Sequence, residues 1–206
     1  MTTHPTFPSL RNTDVLLLSD QEIIFQKNRA FAALQDDLTI IRAELETLFN
    51  ARSWKLPDGQ PIPLTGRIHK GEKHHGLPWM VLDMPGIFNR ESTFAFRILF
   101  LWGQGITCNL QLSGSWMDAC RERLLNNQED ITDDKLYLAT GKTPWDHQVV
   151  EDKYVVTTKW EREKIRRYLE QTEWIKLTTL LNMKDYGELE EFVLGWADRL
   201  FSAALD

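Results

Sequence analysis

The stretch from His74 to Ser115, HHGLPWMVLDMPGIFNRESTFAFRILFLWGQGITCNLQLSGS, constrains the fold more than any other part of the chain. It holds most of the apolar and aromatic density in three runs, Trp79 to Asp83, Phe94 to Trp102 and Ile106 to Leu112. Each run is rich in aromatic or β-branched residues and closes on Gly or Pro, the signature of strands. The middle of the chain is therefore read as a sheet core.

Gly103-Gln104-Gly105 separates two of these runs, and a short loop with Gly at both ends supplies the positive φ of a tight hairpin. A loop of these three residues would place Trp102 opposite Ile106, Phe100 opposite Cys108 and Ile98 opposite Leu110, an uninterrupted apolar face. The other face would pair Leu101 with Thr107, Leu99 with Asn109 and Arg97 with Gln111. A two-residue loop would shift the register by one and mix the faces, which a sheet with one core face does not tolerate.

Hydrophobic residues make up 42% of the 206-residue chain and charged residues 26%, ordinary for one globular domain. No apolar run approaches the roughly 20 residues that span a bilayer. The N-terminus lacks the basic and apolar regions of a secretory signal. Two cysteines, Cys108 and Cys120, are too few for a disulfide scaffold, and Cys108 falls on the core face. The cytoplasm is the expected compartment, with both thiols reduced and Cys108 inert. A net charge of -6 opposes electrostatic capture of nucleic acid. The basic residues Arg162, Lys164, Arg166 and Arg167 alternate with Glu161, Glu163 and Glu170, as on a solvated helix face with i,i+4 pairs.

Around the core the pattern is helical. Residues 1–14 have no periodicity and read as a loose tail, followed by a short run at Leu16 to Leu18. Ser19-Asp20-Gln21-Glu22 spells a capping box. Phe31, Leu34, Leu38, Ile41, Leu45 and Leu48 then form a stripe on a helix from about Asp20 to Asn50, suited to covering the sheet or to pairing two copies. From Ala51 to His75 Pro and Gly break the periodicity, so a long loop is expected. Ser115 to Asn127 reads as a helix capped by Ser115, with Trp116, Cys120 and Leu124 on its stripe. Lys135 to Thr140 and Tyr154 to Thr157 have strand composition. A second capping box at Thr158 to Glu161 opens a helix bearing Ile165, Tyr168, Leu169, Trp174, Ile175 and Leu180. Asp185 begins a last helix with Leu189, Phe192, Val193, Trp196, Leu200 and Phe201 inward. The expected fold class is α+β: an antiparallel sheet of about four to six strands with a central hairpin, packed by a long N-terminal helix and two C-terminal helices.

Chemical signatures are sparse. His69, His74 and His75 fall close together but lack the i,i+2 or i,i+4 spacing of converging ligands, so no metal and no cofactor are expected. Gly141-Lys142-Thr143 is not a phosphate loop, because Leu136 occupies the position of the first glycine and Pro144 interrupts the helix start. Asp146-His147 is a weak acid/base pair, since sequence neighbours seldom orient one another. Neither a nucleophile elbow nor a dinucleotide fingerprint is present.

GLPWMVLD, FAFRILFLWG and LQLSG, between Gly76 and Gly114, resemble a bacterial protein family without a known activity. The resemblance implies no activity here. Two functional classes follow from the residues. One is a non-enzymatic binding or interaction protein, as a homodimer, supported by eight tryptophans and the missing catalytic signature. The other is a binding protein or enzyme for a small anionic ligand on the mixed face of the hairpin. There Arg97, isolated among apolar neighbours, binds a carboxylate or phosphate, Asn109 and Gln111 orient the ligand, and Asp83 is the alternative partner of the guanidinium. Arg97→Met, which keeps the stem volume, is expected to abolish binding at little cost in stability.

Overall fold

A computed structural model describes residues 10–206. Contacts cluster into two compact units, residues 1–37 and 38–206. The first contains helix α1 (Asn12–Ser19) and the start of α2 (Gln21–Arg52). Of the expected tail, residues 1–9 lie outside the described residues, and the chain is helical from Asn12. Leu16 to Leu18 thus belong to α1. Ser19 ends that helix with its hydroxyl donating to the Val15 carbonyl at 2.8 Å, so Asp20, not Ser19, caps α2 by accepting from the Glu22 amide at 2.9 Å. A carboxylate one residue later serves the same orphan donors.

The second unit is a seven-stranded antiparallel sheet in the order β1-β2-β3-β4-β7-β5-β6. Its strands are β1 (Arg67–His74), β2 (Leu77–Phe88), β3 (Thr93–Leu101), β4 (Gly105–Ser113), β5 (Leu136–Ala139), β6 (Tyr154–Val156) and β7 (Trp174–Leu181). The helices are the C-terminal part of α2, then α3 (Ser115–Asn126), α4 (Arg162–Gln171) and α5 (Leu189–Leu205). Met80, Leu82, Phe94, Phe96, Ile98, Leu110, Leu112, Ile175 and Leu177 are buried, alternating along their strands as one apolar face. On that face Phe201 of α5 meets Phe94 and Phe96 at 6.0 and 5.6 Å between ring centroids, and Phe49 and Trp54 at 4.9 and 5.4 Å. From Leu38 onward the α2 stripe buries Leu38, Ile41 and Leu45 as its spacing predicts, with Phe49 fully inward where Leu48 was expected.

The central hairpin keeps a three-residue loop, but the loop is Trp102-Gly103-Gln104 and the register moves by two. Phe100 pairs with Ile106, Ile98 with Cys108, Leu99 with Thr107, Arg97 with Asn109 and Ala95 with Gln111. Gly103 supplies the positive φ of +81° in the turn. Gly105 is recruited into β4, where a side chain would strike the Leu181 carbonyl of β7. A shift of two preserves the parity of every side chain, so the faces stay as the alternation assigns them.

Other expectations fail for local reasons. Arg67–His74 is a strand, not loop. It is an edge strand that buries none of its residues, so it carries no apolar alternation. Gly114, at φ 56° and ψ -137°, takes the N-cap of α3 in place of Ser115. The second capping box does not start a helix: residues 157–159 form a 3-10 turn and α4 begins at Arg162. That helix ends at Gln171, and Trp174–Leu181 is strand β7 in the interior of the sheet, between β4 and β5. The last helix likewise begins at Leu189, after a 3-10 segment over Met183–Glu188. The charge pattern of α4 does form i,i+4 ion pairs, Arg166 with Glu170 and Arg167 with Glu163. Cys108 and Cys120 are both free and buried, and burial alone pushes the Cys108 thiol far above its ordinary range.

Candidate functional site

The face of the sheet opposite the aromatic core is polar along one line. Arg67, Asp83, Arg97, Asn109, Thr178 and Tyr137 are successive register partners across β1, β2, β3, β4, β7 and β5. Gln111 and Lys176 pair in the adjacent row. All of these lie on the same side of the pleat, because the register shift between Asp83 and Gly86 falls beyond Asp83. The segment between β5 and β6, which has no regular structure, lays Trp145, Asp146 and His147 over this face.

Arg97 is the hub. Its Nε and Nη2 donate to the two Asp83 oxygens at 2.7 and 3.0 Å, a bidentate pair. Its Nη1 approaches His147 Nε2 at 3.2 Å. Phe88 and Trp145, 6.2 Å apart between ring centroids, each place their ring 5.6 Å from the guanidinium carbon, within cation–π range. Beyond His147, its Nδ1 is 2.9 Å from Lys176 Nζ, and Nζ is 2.7 Å from the Asp146 carbonyl. Tyr154 donates its hydroxyl to that same carbonyl at 2.7 Å. The Asp146 side chain turns away to Lys153 at 2.7 Å. Gln104 of the hairpin loop pins the segment from both sides, donating to the His147 carbonyl and accepting from the Val149 amide, each at 3.0 Å.

The electrostatics follow from this crowding of cations. Burial, then Lys176 and Arg97, drive His147 far below the usual imidazole range, so it is neutral. Burial, then the Arg97 charge, lower Lys176 to about 7 against the pull of Asp146. His74, whose ring lies 5.3 Å from that of His147, is also lowered, first by burial and then by His75. Burial works to raise Asp146, but the Lys153 hydrogen bond and charge outweigh it and hold the carboxylate ionised.

Beside Arg97 and His147 opens a pocket of about 240 Å³, lined also by Lys73, His74, Trp79, Val81 and Leu99. Of the residues singled out from the sequence, Arg97 lines it and Asp83 backs the guanidinium from outside the lining. Asn109 and Gln111 share the face but do not line the pocket. Asn109 is fully occupied, donating to the Arg97 carbonyl and to Thr107 Oγ1 and accepting from Thr178. Gln111 is 2% exposed with its amide nitrogen unpartnered. The bidentate pair also corrects the expectation that Arg97→Met would be cheap, since Asp83 is 8% exposed and would be left without its counter-charge.

Lys176 is not among the residues the sequence singles out, because the apolar spacing of its strand imitates a helix, and His147 stands out little there because its partners are distant in the chain. The signal for Lys176 is the same as for Arg97, one cation in a strand otherwise built of apolar residues and threonine. His69 is exposed on β1, while His74 and His75 touch at 4.6 Å. Among the described residues no three His, Cys, Asp or Glu side chains are grouped to hold a metal ion, and no helix is long and apolar enough to cross a membrane. No family model matches the chain, and no curated protein or solved structure is significantly similar to it.

Proposed function

We propose that the protein binds a small anion, a short-chain carboxylate or a comparable species, in the pocket beside Arg97. The observation carrying this reading is the lining itself: Arg97, His147, His74 and Lys73 contribute nitrogen and no carboxylate is among them. Both imidazoles are held neutral in part by surrounding positive charge, so an arriving anion relieves a repulsion already present. Trp79, Val81 and Leu99 supply an apolar wall for a short hydrocarbon stem. At about 240 Å³ the space lies below the range typical of drug-sized ligands, which favours a ligand of few atoms. At a hundred times its Kd such a ligand raises stability by about 2.7 kcal/mol, or roughly 5–10 °C in melting temperature. Melting the protein in acetate, propionate or phosphate against chloride at equal ionic strength should reveal that rise, larger at pH 6 than at pH 8. Equal melting in all four salts at both pH values overturns the reading.

A second reading, self-association, is favoured by the N-terminal unit. Leu16, Leu17 and Leu18 are 71%, 55% and 74% exposed, and Ile23, Ile24 and Phe25 are exposed beside them in sequence. The charges flanking this apolar run already neutralise each other, Arg11 with Asp14 and Arg29 with Glu22. The surface thus neither repels a copy of itself nor selects a partner of opposite charge, and a second copy is the occupant proposed. Light scattering after size exclusion should give twice the monomer mass for the wild type and the monomer mass for Leu16→Asp/Leu18→Asp. A monomeric wild type at tens of micromolar sinks this reading.

A further inference from the structure

Lys176 is the least ordinary residue of the polar face. Its side chain is completely buried on the interior strand β7, where a charged ammonium without a carboxylate partner is costly. Its two polar neighbours are the Asp146 carbonyl at 2.7 Å and His147 Nδ1 at 2.9 Å. The proton count of this chain of contacts is determined from its far end. Arg97 never gives up a proton, so at 3.2 Å from Nη1 the His147 Nε2 must accept. A neutral imidazole with an accepting Nε2 carries its proton on Nδ1. That proton points at Lys176 Nζ, which must offer a lone pair, so the lysine is a free amine. The pKa of about 7, caused first by burial and then by Arg97, agrees with this count.

A free lysine amine beside another cation is the form in which lysine attacks carbonyl carbon. Resting on the anion-binding reading above, we propose that Lys176 captures a small 2-oxo acid or other anionic aldehyde or ketone as an imine. The carboxylate lies against Arg97, and rotation of the His147 ring joins the pocket to the amine. The Nζ lone pair forms the bond to the carbonyl carbon while the carbonyl π pair moves to oxygen, which takes the Nδ1 proton of His147. The amine then returns a proton to His147. His147 Nδ1 then donates to the carbinolamine hydroxyl, which leaves as water while the nitrogen lone pair forms the C=N bond, and the remaining N–H proton of the iminium returns to Nδ1, with no oxidant or reductant required. Gln111, the register partner of Lys176, has a buried amide nitrogen without a partner, and it supplies a hydrogen bond to the oxygen in transit. Among the described residues Arg97, His74, Asp146 and Tyr154, whose ring centroid is 5.6 Å from Nζ, are the other charged or titratable groups around the amine, with His75 against His74 and Lys153 holding the sole carboxylate.

The test uses the whole wild-type protein. It is incubated with glyoxylate at pH 7.5, reduced with borohydride and mapped by peptide mass spectrometry. Reduction of the imine leaves a carboxymethyl group on nitrogen. The free amine is the nucleophile, and a lysine in water is on the order of 0.1% free amine at that pH, so Lys176 should be modified at least tenfold faster than the exposed Lys135 and Lys142. Labelling of Lys176 no faster than Lys142 overturns the inference, because a purely structural buried amine is less reachable than a surface one. If acetate raises the melting temperature while Lys176 stays unlabelled, imine capture fails and anion binding stands. If acetate has no effect and Lys176 stays unlabelled, both fail.

Discussion

Replacing Arg97 by Met is expected to cost about 3–5 kcal/mol, because it strands Asp83 in a site where that carboxylate is 8% exposed. The lost contacts are two charge-assisted hydrogen bonds at 2.7 and 3.0 Å, and Met returns none of them. Removing both charges is a different experiment. In Asp83→Leu/Arg97→Met the buried ion is gone with its partner, and apolar side chains of similar volume face each other across β2 and β3. Recovery of most of the lost stability is expected, since an intact buried pair often contributes little beyond an apolar replacement. Urea midpoints of wild type, both single variants and the double variant form the cycle that measures this. A loss below about 1 kcal/mol in Arg97→Met would show that Asp83 finds water or another cation. A double variant that folds without the guanidinium also separates the stabilising role of Arg97 from its role toward an anion.

Stability is expected to climb with pH from the mildly acidic range to about pH 8.5, above which the buried thiols of Cys108 and Cys120, still protonated in the fold where unfolded cysteines ionise, act with the opposite sign. His147 is neutral in the folded protein well below the range where an unfolded histidine protonates, so below about pH 6.5 the unfolded chain binds the extra proton. Stability is therefore lost as pH falls, by up to about 1.4 kcal/mol per unit for this group. Lys176 acts on the other side of neutrality with the same sign. Its folded value near 7 lies below the unfolded value of about 10.4, so the unfolded state holds more protons between the two. The burden of burying the amine is full below pH 7 and vanishes as pH rises toward 10. Denaturant titrations at pH 5.5, 6.5, 7.5 and 8.5 should show a rising curve. Lys176→Met should flatten its alkaline limb and His147→Gln its acidic limb. A wild type that weakens from pH 7 to 8.5 would mean that Lys176 is charged in the fold.

The polar face was legible where alternation alone decides. Arg97, Asn109 and Gln111 were placed on one face from the hairpin pattern, and they share it although the true register is displaced by two. Side-chain parity survives such an error, whereas partner identity does not, which is why Arg97 meets Asn109 and not Gln111. Asp83 and Arg97 were legible as a pair because each is a charge in an apolar strand. Lys176 was not, since Ile165, Tyr168, Leu169, Trp174, Ile175 and Leu180 imitate a helical stripe and hide the alternation of Trp174, Lys176, Thr178 and Leu180. A chain of apolar residues supports both periods over short lengths, and the pairing of β7 with a strand on each side decided between them. The placing of His147 depends on the grip of Gln104 on the segment around it, a tertiary contact that no local pattern announces.

The sheet order also dictates when the polar face comes into being. Strands β1 to β4 form a meander of neighbours along the chain, with pairings that close over short loops. Strand β7 docks on β4 from far along the sequence and only then offers an edge to β5, which in turn holds β6. Closing so long a loop costs entropy before any contact compensates, so this docking belongs to the slow part of folding. On the ribosome the Arg97 and Asp83 pair can assemble while Lys176 is still unmade. The amine, the imidazole and the segment that carries it come together last, and a chain that stalls earlier displays the bare edge of β4 as a template for another strand.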